Sequence, residues 1–179
     1  MPTLEDAQEL LNEYMSSDAL KTHCMEVSEI MRAMAKEYDG DELTWAITGL
    51  LHDFDYEKFP DEHPMKGKEI LEENGYSDEV MEAIQGHANF SGVPRTSSMA
   101  KVLYAVDELS GLMHAVALLR PNGFADMEVK SVNKKIKDKS FAAKVNRDEI
   151  REGAEELGVE LSDLIQKLIV IFKNIESDN

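Results

Sequence analysis

Apolar residues recur at intervals of three and four along nearly the whole chain, and no segment alternates apolar and polar residues as a half-buried strand would. That periodicity admits an all-α fold of about eight to ten helices and little else. Local start and stop signals divide it. Thr3 with Asp6 has the pattern of a capping box opening a first helix to about Tyr14. Ser17 or Asp18 opens a long second helix that ends at Asp39 and Gly40. A third runs from about Asp41 to His52, with Trp45 expected in the core. Pro64 suits the first turn of a fourth, closed by Asn74 and Gly75, and Ser77 caps a fifth reaching about Asn89. After the loop "SGVPRTSS" a strongly apolar sixth helix runs from Ser98 to about Leu119 and stops at Pro121, Asn122 and Gly123. "ADMEVKSVNKKIKD" and "RDEIREGAEELG" read as shorter helices. A last one, from about Leu161 to Ile175, carries an apolar stripe that is either core or the seam of a homodimer.

A chain of 179 residues without a break in composition is expected to form one domain with its own core. The lone cysteine, Cys24, excludes an internal disulfide and any thiolate cluster, so a metal here must be held by imidazole and carboxylate. The opening "MPTLEDAQELL" is acidic and lacks the features of a signal peptide, and no apolar run reaches the length of a membrane span. A cytoplasmic protein is expected.

The formal charge of −17 argues against partners with phosphate backbones and against anionic membranes. The charge is uneven, however. Between Arg120 and Arg151 nine basic residues stand against five acids, a local +4, while the remaining ten basic residues and 31 acids sum to −21. Such an island would attract a small anionic substrate, and Arg147 and Lys137 are the two residues expected to bind it. The competing reading is a solvated helix face whose cations pair with neighbours such as Asp138 and Glu149.

The stretch "GLLHDFDYEK" carries an apolar helical pattern straight into His52 and Asp53. A solvated helix end would explain one such pair, so the faces of the other helices decide. His23 falls among Leu20, Val27, Ile30, Met31 and Met34. By itself it is as well read as a hydrogen-bonded core histidine. His87 shares a face with Val80 and Ile84, and His63 stands just before Pro64. Asp107 lies among Leu103, Val106 and Leu109 with no basic residue between Val102 and Leu119, and a carboxylate there is costly unless something neutralises it. Four inward histidines with two aspartates and no basic partner are best explained by a cation. Imidazole with carboxylate suits Mn, Fe, Co, Ni or Zn, as one or two ions. His114, the fifth histidine, is assigned to the surroundings of the pocket or to the core.

The ordered set His23, His52 with Asp53, and Asp107 resembles the signature of the HD-domain superfamily, whose members are helical metal-dependent phosphohydrolases. "HPMKGKEILEENGYSDEVMEAIQGHANF" resembles the segment that supplies two further histidines in dinuclear members, so the likeness spans about residues 18 to 115. Residues from about 120 to 179 are expected to form a helical extension of the same domain, within which "VKSVNKKIKDKSFAAKVNR" resembles the tail of small single-domain, HDIG-related bacterial and archaeal members. The resemblance implies that His23, His52, Asp53 and Asp107 hold a first metal, and that His63 and His87 hold a second with Asp53 bridging. The chain departs from the "HDIGK" form of some cyclic-dinucleotide phosphodiesterases: Asp55 replaces the glycine, Tyr56 replaces the lysine, and Lys58 comes two positions late.

The expected function is a phosphomonoesterase or phosphodiesterase for a small phosphorylated molecule, with a nucleotide among the substrates allowed. Asp53 would serve it as a metal ligand, and Asp55 and Glu57 are the candidates for general acid or base, each with the alternative of an ordinary loop acid. Two rivals from other classes stand beside it: a di-iron oxygenase of the same ligand order, and a regulatory module that binds nucleotides without turnover.

Overall fold

The computed structural model of the chain describes residues 2–177. Among the described residues there are nine α-helices and no strand: α1 (Leu4–Tyr14), α2 (Asp18–Ala35), α3 (Glu42–Leu51), α4 (Met65–Glu73), α5 (Asp78–Gly86), α6 (Ser98–Ala117), α7 (Val129–Lys137), α8 (Arg147–Leu157) and α9 (Leu161–Ser177). Short 3-10 turns follow α2 and α5. The described residues form two compact units that divide between Tyr104 and Ala105, inside the continuous helix α6. No described helix is long and apolar enough to cross a membrane.

In the first unit the capping residues act where local chemistry places them. Thr3 and Asp6 form the reciprocal capping box of α1, Ser17 caps α2 through the Leu20 N–H, and Asp41 caps α3 through the Thr44 N–H. Pro64 occupies the N-cap of α4, one position ahead of its first turn. Helix α5 ends at Gly86, three residues before the expected end at Asn89, because His87 caps it and Ala88 turns extended.

Helix α3 is the axis of this unit: every residue from Trp45 to Leu51 is buried, with α2, α1 and α5 packed around it. Its approach to α2 is set by Gly49. A Cβ there would stand 2.8 Å from the Val27 carbonyl oxygen and 2.9 Å from Ser28 Cα, so only glycine lets the two backbones come this close. The Ser28 hydroxyl donates to the Ala46 carbonyl at 2.8 Å across the same contact, satisfying a buried polar group.

In the second unit α9 packs on α7 and α8. Its stripe of Leu164, Ile165, Leu168, Ile169 and Phe172 is buried within the chain, and Phe172 stacks on Phe124 at 4.0 Å between ring centres. The stripe is therefore core. The loop between α7 and α8 closes on Arg147, whose guanidinium donates to the carbonyls of Ala142, Val145, Asp138 and Phe141.

Candidate metal centre

Each polar residue of the centre arrives on an element whose ending is locally determined. His52 is the C-cap of α3 and His87 the C-cap of α5, so each ring sits where its helix stops. Each folds back on its own last turn: His52 Nδ1 lies 2.8 Å from the Gly49 carbonyl oxygen, and His87 Nδ1 meets the Ile84 carbonyl oxygen. A carbonyl can only accept, so in both neutral rings the proton is on Nδ1 and Nε2 carries a lone pair.

His63 reaches the same state differently. It precedes Pro64 through a cis peptide bond, and its Nδ1 lies 2.6 Å from Asp55 Oδ1. Asp55 is 0 % exposed. Its second oxygen accepts the Gly67 N–H at 2.7 Å.

Asp53 stands where the three rings converge. Its Oδ1 lies 3.3 Å from His63 Nε2 and 3.2 Å from His87 Nε2, and its Oδ2 lies 3.5 Å from His52 Nε2. The ring centres of His52 and His87 are 5.3 Å apart, those of His63 and His87 5.1 Å, and those of His23 and His52 5.1 Å. Burial pushes the Asp53 carboxyl up, and where the His52 and His87 rings carry a second proton, on Nε2, the charge and hydrogen bonds of His52, and then of His87, outweigh it and hold the group well below the usual carboxylate range. A metal ligand must be the ionised form, which needs a positive charge beside it in so buried a place.

Two sets of potential ligand atoms emerge, Asp53 with His63 and His87, and His23 with His52 and Asp107, each drawn together within 4.8 Å. Asp107 is borne by α6 less than one turn beyond Tyr104. The donor chemistry fits a cation. Neutral rings would point lone pairs at the oxygens of an ionised carboxylate, which is repulsive, and protonated rings would crowd like charges around a single aspartate. A divalent ion in each set would satisfy lone pairs and charge together.

All six residues expected as metal ligands, His23, His52, Asp53, His63, His87 and Asp107, thus belong to these two sets. The four others have different occupations. Glu57 accepts hydrogen bonds from the Ser16 N–H at 3.0 Å, the Ser17 N–H at 2.9 Å and the Ser16 hydroxyl, which fastens this loop to the start of α2. Asp55 is sealed in the interior between His63 and Gly67, as given above, and holds a ring in place of moving a proton to solvent. Arg147 spends its guanidinium on loop carbonyls, and Lys137 is exposed at the end of α7. His114 is half-buried, with its ring 6.5 Å from that of Phe124.

Gly49 and Gly67 were not singled out among the candidates, although both serve the centre. The sign was present in each: a glycine inside an apolar helix, or one turn into a helix, usually marks close packing or a backbone contact.

The fold and the two ligand sets define an all-helical protein, among its described residues, with histidine and aspartate groups that could hold a metal. The chain belongs to the HD domain family, whose model matches residues 20–112, a span that contains all six metal-ligand candidates. No curated protein and no solved structure matches the chain.

Proposed function

We propose that this protein is a metal-dependent phosphoric ester hydrolase acting on a small phosphorylated molecule. The observation that carries the reading is the convergence on Asp53 of three imidazole Nε2 atoms, those of His52 and His87 left as acceptors by backbone carbonyls and that of His63 by a carboxylate. Membership of the HD domain family, generally one of metal-dependent phosphohydrolases, supports it.

His23, His52 and Asp107 would hold one ion, and Asp53, His63 and His87 another, with Asp53 turning one oxygen toward each set. Such a cation, when bound, would polarise a phosphoryl oxygen and lower the pKa of water enough to supply hydroxide near neutral pH. The remaining work belongs to the chain. The Gly49 and Ile84 carbonyls and the Asp55 carboxylate keep the rings oriented, so that no reorganisation is needed on binding substrate. The Asp53 side chain is 21 % exposed while His52 is wholly buried, which makes the Asp53 edge the side a substrate would approach. Tyr56, exposed and edge-on to the His63 ring at 5.5 Å, stands at that edge.

The test is a panel of phosphomonoesters and phosphodiesters assayed with Mn, Fe, Co, Ni and Zn, alongside elemental analysis. Metal-dependent phosphate release that disappears in Asp53→Ala is the expected result. Oxygen consumption by the iron-loaded protein with no phosphate release would assign it instead to the oxygenases, and metal binding without any turnover would assign it to binding modules.

A further inference from the structure

Asp55 is a carboxylate with no exposed surface, and burying one is expensive unless hydrogen bonds meet its charge. Both of its oxygens are met, by partners from two different parts of the chain. Oδ2 accepts the N–H of Gly67, the third residue of α4, one of the first-turn donors that a helix cannot satisfy from within. The N-cap of α4, Pro64, supplies no side-chain cap, so Asp55 caps this helix from twelve residues upstream. Oδ1 accepts the Nδ1–H of His63. One buried group therefore fixes both the start of α4 and the ring of a ligand two residues ahead of it.

His63 differs in this respect from His52 and His87, one of which lies in each set. His52 and His87 orient themselves on carbonyls of their own helices, neutral acceptors that persist as long as α3 and α5 do. His63 lies in the turns between α3 and α4, with no helix of its own, and its Nδ1 meets the Asp55 side chain. A carboxylate acceptor polarises the imidazole more strongly than a carbonyl and makes Nε2 a better donor to a metal.

We propose that Asp55 is a positioning residue that governs cation binding at the Asp53, His63 and His87 set, leaving the His23, His52 and Asp107 set independent of it. The proposal rests on reading both sets as cation sites, and not on the reaction catalysed there. Asp55→Asn has a specific consequence. The amide oxygen can satisfy only one of the two N–H donors. If it stays with Gly67, the amide NH2 faces His63 Nδ1 and draws the proton to Nε2, the atom that must be a lone pair to bind. Gly67→Ala attacks the same link from the other side, since its Cβ would stand 2.9 Å from Asp55 Oδ2.

The experiment has two readouts. The first is the tautomer of His63, from nitrogen-15 histidine spectra of metal-free protein at about pH 8.5, above the ordinary imidazole range. The second is a calorimetric titration with Zn²⁺. Wild type is expected to show His63 protonated on Nδ1 and to bind two equivalents. Asp55→Asn is expected to move that proton to Nε2 and to weaken one equivalent by about 10- to 100-fold while sparing the other, with Gly67→Ala weakening the same one. The proposal is overturned by a wild-type His63 protonated on Nε2, by fewer than two equivalents in wild type, or by variants that bind both ions as wild type does. Should Asp55→Asn not fold, the wild-type spectrum and Gly67→Ala decide. Two bound equivalents with no phosphoester cleaved would count against the hydrolase reading alone.

Discussion

Gly49 offers its carbonyl oxygen to His52 Nδ1 at 2.8 Å while its Cα faces the backbone of Val27 and Ser28 on the neighbouring helix. The residue that brings α2 and α3 together is thus also the residue that orients a ligand. Helix packing and metal chemistry share one position.

Gly49→Ala should therefore fail in two ways at once. The new methyl meets backbone atoms that cannot swing aside, so α2 and α3 must separate, at a cost of about 1–3 kcal/mol. His23 on α2 and His52 at the end of α3 separate with them. A lower urea midpoint together with reduced metal content after desalting is the expected pair of results. Lost stability with full metal content would uncouple the two roles.

Asp53→Ala removes the one carboxylate whose two oxygens face His52 on one side and His63 and His87 on the other. Metal content by elemental analysis should fall for both equivalents, because each loses a neighbouring charge. Full occupancy in the variant would mean that Asp53 is not a ligand.

Glu57 gives a pH dependence with a definite sign. The Ser16 hydroxyl, then the Ser17 and Ser16 N–H groups, hold its carboxyl below the ordinary 4.5. A depressed acid stabilises the fold above its unfolded value, and that contribution is lost as the pH falls through the lowered folded value. Glu57→Gln should be less stable than wild type at about pH 7, and the gap should narrow at about pH 3.5. Urea midpoints of both proteins at the two pH values measure it. A gap that does not change with pH would show that the ionised form gains nothing from these bonds.

Arg147 and Lys137 should separate cleanly. Arg147→Ala strips charge-assisted hydrogen bonds from loop carbonyls and should cost about 1.5–3 kcal/mol in thermal or urea unfolding. Lys137→Ala, at an exposed position, should stay within about 0.5 kcal/mol of wild type. If the basic segment steers an anionic substrate, Lys137→Ala lowers kcat/KM and flattens its salt dependence. An unchanged specificity constant at two ionic strengths would make the segment a solvated face.

Much of this molecule was legible in one dimension because the responsible interactions are short in sequence. The Thr3 and Asp6 capping box, the Ser17 and Asp41 caps and the left-handed Gly75 and Gly158 each act within about a turn, so residue type and spacing suffice to find them. Periodicity likewise placed His23, His87 and Asp107 on apolar helix faces before any fold was known. The same locality explains the misplacement of the end of α5: Gln85, Gly86 and His87 carry no strong stop signal, and the chain leaves the helix at Ala88 for the 3-10 turn at Asn89–Ser91.

What tertiary structure decided is the work done by each acid and base. Asp55 and Glu57 stand two residues apart with the same charge and read alike as loop acids. Only the folded chain brings Asp55 against His63 and Gly67, eight and twelve residues on, and Glu57 against Ser16, 41 residues back. Arg147, for its part, turns inward to carbonyls of its own loop. Residue type sets what a side chain can accept or donate, but the partner it finds depends on how closely helices approach, and that distance is set by packing at positions such as Gly49.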